Sequence, residues 1–225
     1  MKKLYVFGAG ETGLLVRDYF VLNGRSVHGF LLDTETQDAS ADGLPILAWE
    51  KFVQENSPQD AEVFVAISYQ SMNKLRRSKF QKVRDAGFTM PTFVHPSARI
   101  ASDVLLGQNC LVLENCVVQR GGCLGDNVHV WSGSHIGHGA TVGSHAFISS
   151  QVVLAGRSTI GAESFMGANS SVREAVVLGE SCLVGIGAVA LRSLPDRSNV
   201  VHTGSLEIRA DDPRSKIVRR SVEEA

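Results

Sequence analysis

The sequence from Arg99 to Leu194 divides without a gap into the hexapeptides RIASDV, LLGQNC, LVLENC, VVQRGG, CLGDNV, HVWSGS, HIGHGA, TVGSHA, FISSQV, VLAGRS, TIGAES, FMGANS, SVREAV, VLGESC, LVGIGA and VALRSL. The second position of each unit is Ile, Leu, Val or Met, with Ala190 as the single smaller residue. The third position is glycine in eight of the sixteen units, and the sixth is mostly small. Hexapeptide repeats of this kind are typical of a parallel β-helix.

The repeat has a simple physical basis. One short strand per unit forms one wall of a triangular prism, so the aliphatic second residue points inward and the small sixth residue fits at a corner. Three units close one coil, and successive coils stack at the strand spacing of about 4.8 Å. Residues three units apart in the sequence are therefore expected to lie directly above one another.

The chain before the repeat follows a different pattern. The segments KLYVFGAG, ETGLLVRDYFVLNG and SVHGFLLD predict a strand, a helix and a second strand, which together form a βαβ unit. EVFVAIS predicts a further strand, and a helix is expected from Ser71 to Ala86. We therefore expect an α/β, Rossmann-like domain over residues 1–92, an all-β parallel β-helix over residues 93–198 and a tail over residues 199–225.

The first predicted turn contains Gly8-Ala9-Gly10-Glu11-Thr12-Gly13, a GxGxxG motif that follows a strand and opens a helix. Asp33 ends the next predicted strand. The glycines would let backbone amides and a helix N-terminus approach a phosphate, and the carboxylate could accept hydrogen bonds from a ribose or a base. The domain is too short for a full dinucleotide fold, so we expect a half-site for a nucleotide or a nucleotide-linked sugar. The alternative is a tight turn with a purely structural role.

Composition argues against several classes of partner. The 225 residues carry a formal net charge of −1 and are 44% hydrophobic, which disfavours nucleic acid and anionic membranes and favours small-molecule ligands. No apolar run is long enough for a membrane-spanning helix, and the N-terminal strand reaches Gly8 too early for a signal peptide. We therefore expect a cytoplasmic protein.

Histidines on the middle coils are the best chemical signal. His138 occupies the fourth position of its unit and should project outward, with Gly156 one coil above and Arg120 one coil below. A neutral imidazole there could take a proton from an attacking amine or hydroxyl, and the Gly156 amide could stabilise charge on a thioester oxygen. Arg120 would favour the neutral imidazole, and His135 could orient the substrate or carry a second proton. The alternative is a solvated surface histidine.

A metal site is the competing use of these histidines. Ligands on one wall of a β-helix should be one or two coils apart in sequence, as in the three-histidine zinc sites of the gamma-class carbonic anhydrases. No pair of histidines in this chain has either spacing. We therefore expect no metal.

Taken together, GAGETG, LLD, the AIS segment, FVHPSA at the domain junction and SGSHIGHGATVG in mid-coil resemble the nucleotide-sugar acyltransferases of the bacillosamine-pathway acetyltransferase type, a group related to sialic acid O-acetyltransferase-like proteins. The resemblance covers nearly the whole chain. It implies a left-handed coil, a nucleotide-linked 4-amino sugar held by the N-terminal domain, and a role in polysaccharide biosynthesis. It also implies that acetyl-CoA lies along the coil between the subunits of a homotrimer.

The resemblance also assigns roles to individual residues. It assigns the base to His138 and the oxyanion donor to Gly156. It assigns contacts with the nucleotide sugar to Gly8, Gly10, Thr12, Asp33, Ala66, Ile67 and Ser68. The chain departs from the family pattern where Gly139 replaces the acidic residue that commonly follows the base, where Thr12 replaces a histidine, and where HTGSLE replaces the usual end of the coil.

The expected reaction is direct transfer. The sugar amine attacks the acetyl thioester, His138 removes its proton, and the Gly156 amide stabilises the oxyanion. Two alternatives stay open: acetylation of a sugar hydroxyl by the same base, and a non-catalytic β-helix that binds a nucleotide sugar, which the missing acidic neighbour of His138 favours. Basic residues in the C-terminal RSKIVRRSVEEA could meet the phosphates of CoA or form a solvated charged end.

Overall fold

The computed structural model describes residues 2–34 and 40–201 of the chain. The hypothesis about the C-terminal segment RSKIVRRSVEEA falls on residues outside these ranges. Across the described residues, no helix combines the length and the apolar character that crossing a membrane requires. The described chain forms an N-terminal α/β domain followed by a left-handed parallel β-helix, which confirms the predicted fold class.

The N-terminal domain is built on a five-stranded sheet with three helices. Its elements are β1 (Lys3–Phe7), α1 (Glu11–Leu22), β2 (Val27–Leu32), β3 (Ser40–Ala41), β4 (Leu44–Ala48), α2 (Trp49–Glu55), β5 (Ala61–Val65) and α3 (Lys74–Asp85). The strand order is β3-β4-β2-β1-β5, with β3 antiparallel to β4 and the other neighbours parallel. The sequence predicted β1, α1, β2, β5 and α3 but missed the short elements β3, β4 and α2.

The last helix starts later than the sequence predicts. Ser71, Met72 and Asn73 have φ angles of 52°, 53° and 64°. These angles lie in the left-handed region, so the three residues form a turn that cannot continue into a right-handed helix. Helix α3 therefore begins at Lys74 and ends at Asp85.

The two faces of the sheet are covered differently. Helices α2 and α3 cover one face, where Phe52 and Phe80 are buried. Helix α1 covers the other face with Val16 and Phe20. This second face also packs against Leu111 of the β-helix, so the two domains share one hydrophobic core.

Each hexapeptide contributes one two-residue strand at its first and second positions, and the strands form three walls. Wall A consists of β7 (Arg99–Ile100), β10 (Val117–Val118), β13 (His135–Ile136), β16 (Val153–Leu154), β19 (Ser171–Val172) and β22 (Val189–Ala190). Wall B consists of β8 (Leu105–Leu106), β11 (Cys123–Leu124), β14 (Thr141–Val142), β17 (Thr159–Ile160) and β20 (Val177–Leu178). Wall C consists of β6 (Phe93–Val94), β9 (Leu111–Val112), β12 (His129–Val130), β15 (Phe147–Ile148), β18 (Phe165–Met166), β21 (Leu183–Val184) and β23 (Asn199–Val200).

The register of the walls confirms the predicted stacking. Val117 pairs with Arg99 on one side and with His135 on the other, which is one residue from each successive coil. Second-position residues such as Val130 and Ile136 point inward and are fully buried, so the aliphatic repeat forms the core. Wall C extends the stack by one strand at each end, through β6 and β23, which the repeat in the sequence does not reveal.

Wall C carries the N-terminal domain. Its first-position residues Leu111, His129 and Phe147 are buried, and the His129 ring stacks on Phe64 of β5 with 6.4 Å between ring centroids. Walls A and B instead expose first-position side chains, among them Leu105 on wall B. The corner between walls A and B is therefore the edge of the prism opposite the N-terminal domain.

Candidate active site

The carboxyl end of the N-terminal sheet forms a cavity of about 430 Å³, the glycine-loop cavity. It is lined by all seven residues for which the sequence analysis expects contact with a nucleotide sugar, namely Gly8, Gly10, Thr12, Asp33, Ala66, Ile67 and Ser68. They come together because β1 lies between β2 and β5 in the sheet. Parallel strands end at the same edge, so the turns that follow them meet there.

Gly10 and Gly13 have different roles in this cavity. A Cβ atom at Gly13 would overlap the backbone carbonyl of Gly8, so a glycine is needed there for α1 to approach β1. A Cβ atom at Gly10 would meet no atom within 4 Å, and Gly10 has an ordinary φ of −82°. The missing side chain at Gly10 instead keeps the cavity open beside the N-terminus of α1, which no side chain caps. Free amides at such a terminus attract anions.

Lys79 of α3 is a lining residue that the sequence analysis missed. Its ammonium group lies 2.7 Å from one carboxylate oxygen of Asp33, and that of Lys82 lies 3.2 Å from the other. Burial alone would raise the pKa of Asp33, but the hydrogen bonds and the positive charges of both lysines together outweigh burial and hold this pKa below its ordinary value. Lys79 and Asp33 thus form an ion pair at the edge of the cavity. Sequence pattern could not reveal this contact, because it depends on how α3 packs under the sheet.

His138 lies at the corner between walls A and B, where it is exposed and lines a second cavity of about 610 Å³. Gly156 lies one coil above it, and a Cβ atom at Gly156 would overlap the imidazole ring. The ring therefore rests directly on the Gly156 backbone. Within the described residues the Gly156 amide donates no hydrogen bond, and the residue is buried beneath the ring.

Hydrogen bonds from neighbouring residues fix the backbone of His138 but not its ring. Its main-chain amide donates to Oε1 of Gln119 at 2.9 Å, whereas its ring nitrogens have no hydrogen-bond partner among the described residues. Arg120, the residue one coil below, pairs with Asp103 at 3.3 Å. The positive charge of Arg120 is therefore shared with a carboxylate and acts less on His138 than its position in sequence suggests.

Other groups that could assist His138 lie elsewhere. His135 is half-buried on wall A and does not line the cavity beside His138. Glu174, two coils above His138, forms an ion pair with Arg157. Gly139 has a φ of 63° and carries no side chain. Packing on Gly156 is thus what orients the imidazole within one chain.

The two remaining coil histidines lie between the domains. Both ring nitrogens of His129 are buried and unpaired within residues 2–34 and 40–201, and burial, together with the charge of Arg76, keeps its pKa well below the ordinary value. The Nδ1 atom of His145 accepts a hydrogen bond from Asn127 at 2.9 Å. Burial, followed by the charges of Arg76 and Arg77, lowers the pKa of His145 to about 4. Both rings are therefore neutral at pH 7 and belong to the domain contact.

The two cavities share no lining residue. Ser68 at the glycine-loop cavity is bridged by Arg76 to the carbonyls of His145 and Ala146, which lie at the corner between walls B and C. His138 lies at the corner between walls A and B. Within one chain, the candidate nucleotide site and the candidate base thus lie on different corners of the prism.

Known proteins resemble this chain both in the hexapeptide repeat and in the arrangement of the two domains. The family model of the bacterial transferase hexapeptide (six repeats) matches residues 124–156. The acetyltransferase domain of PglB from Neisseria gonorrhoeae FA1090 is 27% identical with a TM-score of 0.78, covering 88% of this chain and 96% of that chain. A second structure of that domain, in complex with acetyl coenzyme A, is 27% identical with a TM-score of 0.79, covering 88% of this chain and 95% of that chain.

A third structure extends the likeness. PerB from Caulobacter crescentus, in complex with CoA and GDP-perosamine, is 26% identical with a TM-score of 0.79, covering 88% of this chain and 93% of that chain. Among curated protein sequences, none matches at a significant level. The chain therefore shares with these structures an α/β domain joined to a left-handed β-helix, and it is similar in fold to acetyltransferases built on hexapeptide repeats.

Proposed function

We propose that this protein is an acetyl-CoA-dependent N-acetyltransferase for the amino group of a nucleotide-linked amino sugar of the 4-amino-4,6-dideoxy type. The observation that carries the proposal is the exposed imidazole of His138 resting on the Gly156 backbone. It occurs in a chain whose fold matches, along 88% of its length, a structure that holds CoA and GDP-perosamine.

The glycine-loop cavity suits the nucleoside diphosphate of the acceptor. The loop residues Ala9 and Gly10 and the uncapped start of α1 offer amides to a phosphate. The Gly8 amide already donates to the Leu31 carbonyl, and Lys79 could turn from Asp33 to the phosphate. Thr12, Asp33 and the segment Ala66–Ser68 offer hydrogen-bonding groups to the ribose, the base or the sugar. The volume of about 430 Å³ lies within the usual range for small-molecule sites.

The cavity beside His138 receives the acetyl thioester and the sugar amine. The amine nitrogen attacks the carbonyl carbon while His138 takes its proton, and the Gly156 amide donates to the developing oxyanion. Collapse of the tetrahedral intermediate then breaks the C–S bond, and the CoA thiolate leaves with the proton returned by His138. No covalent acyl-enzyme is needed. His135, which pairs with Val117 of the cavity lining, is the candidate for orienting the substrate or carrying a second proton.

The proposal includes a homotrimer with sites between subunits. Walls A and B expose apolar side chains at Leu105 (68%), Val153 (46%) and Val177 (47%), which contacts with neighbouring subunits would cover. In addition, one chain separates its glycine-loop cavity from His138. Closed three-fold symmetry would let each chain present its cavity to the His138 of a neighbour and produce equivalent sites.

The first experiment measures CoA release from acetyl-CoA with a panel of UDP-, dTDP- and GDP-linked amino sugars. We expect one 4-amino sugar to be turned over, and His138→Ala to lower kcat by about a hundredfold or more, the scale of a general base. His28→Ala, which changes an exposed histidine on β2, is the matched control. Unchanged turnover in His138→Ala would remove this residue from the mechanism.

Other outcomes of the same assay separate the alternatives. Acetylation of a hydroxyl sugar without turnover of any amine would make the protein an O-acetyltransferase, because the same base serves both reactions. Binding of a nucleotide sugar without binding of acetyl-CoA would make it a non-catalytic binding protein.

A second experiment tests whether the sites lie between subunits. The variants His138→Ala and Gly10→Asp are each expected to be inactive, the second because a side chain with negative charge enters the glycine-loop cavity. Coexpression of the two differently tagged chains, followed by isolation of the mixed oligomer, should restore part of the activity, since some sites then combine the intact half of each chain. Mixed oligomers without activity would place each site within a single chain.

A further inference from the structure

A fully buried arginine between the domains has no part in the mechanism above. Arg76, in the first turn of α3, has an exposed fraction of 0%. Within the described residues its hydrogen bonds all go to backbone carbonyls, and its Nε atom is buried without a partner. Burying an unpaired charge costs several kcal/mol, and apolar side chains of similar volume are often as stable or more stable in such places. Stability alone is therefore a poor reason for an arginine here.

The contacts of Arg76 connect three segments of the chain. Nη1 donates to the carbonyl of Ser68 at 3.2 Å, and Nη2 donates to the carbonyls of His145 at 2.6 Å and Ala146 at 3.1 Å. The guanidinium lies 5.6 Å from the centroid of the Phe147 ring. A planar group with several fixed donors can bridge these carbonyls at once, whereas methionine has no donor and lysine has a single donor atom.

A second polar residue of the coil binds the same part of the N-terminal domain. The side chain of Asn109, at the corner between walls B and C, accepts from the Val65 amide at 2.7 Å and donates to the Val65 carbonyl at 3.1 Å. Asn109 also donates to Asn127 at 2.9 Å, which continues a column of polar side chains up the corner. The Asn109 side chain thus pairs with the backbone of β5 at Val65, as an adjacent strand would.

The two anchors enclose one wall of the glycine-loop cavity. Val65 is bound by Asn109 and Ser68 by Arg76, and the segment Ala66–Ser68 lines the cavity. The position of this wall is therefore set by the β-helix as well as by the N-terminal sheet.

We propose that Arg76 and Asn109 are positioning residues through which the β-helix holds the segment Ala66–Ser68 in the shape that binds the nucleoside diphosphate of the acceptor. The identity of the ligand rests on the proposed function, whereas the anchoring rests on the contacts alone. Arg76 acts by fixing the geometry between two domains, and its buried charge is retained for that specificity.

The test compares Arg76→Met with Arg77→Met in the full chain. Arg77 lies on the same helical turn, is 59% exposed and pairs with Glu163 of the coil, so it controls for loss of a cation at the domain contact. The measurements are amide hydrogen exchange, the Tm, and the Kd for acetyl-CoA and for UDP, dTDP and GDP.

We expect Arg76→Met to exchange the amides of Ala66–Ser68 faster. Its Tm should stay close to that of wild type, because relief of the buried charge offsets the loss of three hydrogen bonds to carbonyls. The Kd for the nucleoside diphosphate that wild type binds should rise about tenfold, which is about 1.4 kcal/mol, with the Kd for acetyl-CoA unchanged. Arg77→Met should keep wild-type exchange at Ala66–Ser68 and wild-type Kd values, although its Tm falls because the buried Glu163 loses its partner.

Asn109→Gly is the second variant. Glycine suits the φ of 55° at this position, so the change removes the side-chain hydrogen bonds without backbone strain. It should reproduce the faster exchange at Ala66–Ser68. If Arg76→Met does not fold, this variant alone tests whether the β-helix anchors the segment.

Two results would overturn the inference. In one, exchange at Ala66–Ser68 and nucleotide affinity stay at wild-type values in both variants. In the other, exchange rises throughout the chain and both ligands lose affinity together, which is the signature of general destabilisation. If wild type binds none of the three nucleoside diphosphates, the proposed function fails, while the exchange data still decide whether Arg76 anchors this segment.

Discussion

A glycine is needed at position 156 because a neighbouring side chain fills the space of a Cβ atom, and not because of its backbone conformation. Its φ lies outside the left-handed region, yet an added Cβ atom would overlap the ring of His138. The same glycine therefore supports the candidate base, and its amide donates no hydrogen bond within the described residues. The spacing of one coil between His138 and Gly156 predicts that they stack, and the structure adds that the ring needs a neighbour without a side chain.

This contact predicts the effect of Gly156→Ala. The new methyl group should push the imidazole aside and lower kcat by about tenfold or more, since a general base acts only within hydrogen-bond reach of its proton. The Tm should stay close to wild type because the ring is exposed and can move. Gly185→Ala is the control, since its added Cβ would meet its nearest atom at 3.4 Å. Full activity in Gly156→Ala would show that the position of the ring is not critical.

The glycine loop allows a second prediction from a matched pair. Gly10→Ala should fold normally and raise the Kd for a nucleoside diphosphate about tenfold, because the methyl group enters the space where backbone would approach phosphate. Gly13→Ala should instead destabilise the fold by about 1–3 kcal/mol, because its Cβ overlaps the Gly8 carbonyl. Thermal melting and titration with UDP, dTDP and GDP check both. Equal affinity in Gly10→Ala and wild type would contradict a phosphate site at this loop.

At the scale of the hexapeptide, one position controls the turn between strands. Wherever the fifth residue of a unit has a positive φ, the chain turns a corner in the left-handed conformation. Residues other than glycine with this conformation at the fifth position are Asn109, Asn115, Asn127, His145, Gln151, Arg157, Glu163, Asn169, Ala175 and Ser181. Gly139 occupies the same position with a φ of 63°. Gly139 therefore keeps the turn after His138 without placing a side chain beside it.

Ala175 is the poorest fit among these corner residues. It is exposed and has a φ of 56°, which alanine adopts at a cost of about 1–2 kcal/mol. Ala175→Gly should therefore stabilise the β-helix by about 1 kcal/mol, measured by denaturant unfolding. Ala162→Gly, at a fourth position without positive φ, should give no stabilisation. A loss of stability in Ala175→Gly would mean that the corner does not strain alanine.

At the scale of the whole molecule, the contact between the domains contains two histidines that are kept neutral. His129 and His145 are both uncharged at pH 7 because of burial beside Arg76. The folded chain therefore disfavours protonation of both imidazoles. In the unfolded chain both imidazoles are in water and can be protonated, so acid should favour unfolding.

The sign of this sensitivity follows from the pKa of His145. That pKa is about 4 in the folded chain, against 6.5 for the free group. As the pH falls from 6.5 to 4, the unfolded state binds a proton that the folded state refuses, so the free energy of unfolding decreases. Above pH 6.5 this group has no effect on stability. The Tm should therefore drop between pH 6.5 and 4.

The variant His145→Asn isolates this contribution. Asparagine does not titrate, tolerates the φ of 65° and would continue the column formed by Asn109 and Asn127. Its Tm should fall less steeply than that of wild type between pH 6.5 and 4, with the carboxylates titrating alike in both. Parallel Tm curves for the two proteins would show that His145 is not protonated on unfolding.

The sequence by itself determined the β-helix, its register and the content of its core. Those features repeat locally, and a period of six residues with one inward aliphatic side chain fits one backbone geometry. It also determined the glycine loop, because GxGxxG between a strand and a helix restricts the backbone of the turn itself. The stacking of His138 with Gly156 was also predictable, because residues one coil apart in sequence lie above one another.

Only the tertiary structure decided which distant groups meet. Lys79 joins Asp33 because α3 packs on the sheet, and Arg76 joins Ser68 to His145 because the N-terminal domain sits on wall C. No repeat or motif encodes such contacts, since they depend on the relative placement of two domains built on different periodicities. The separation of the two cavities has the same origin, because the wall that binds the N-terminal domain fixes which corner stays open for His138.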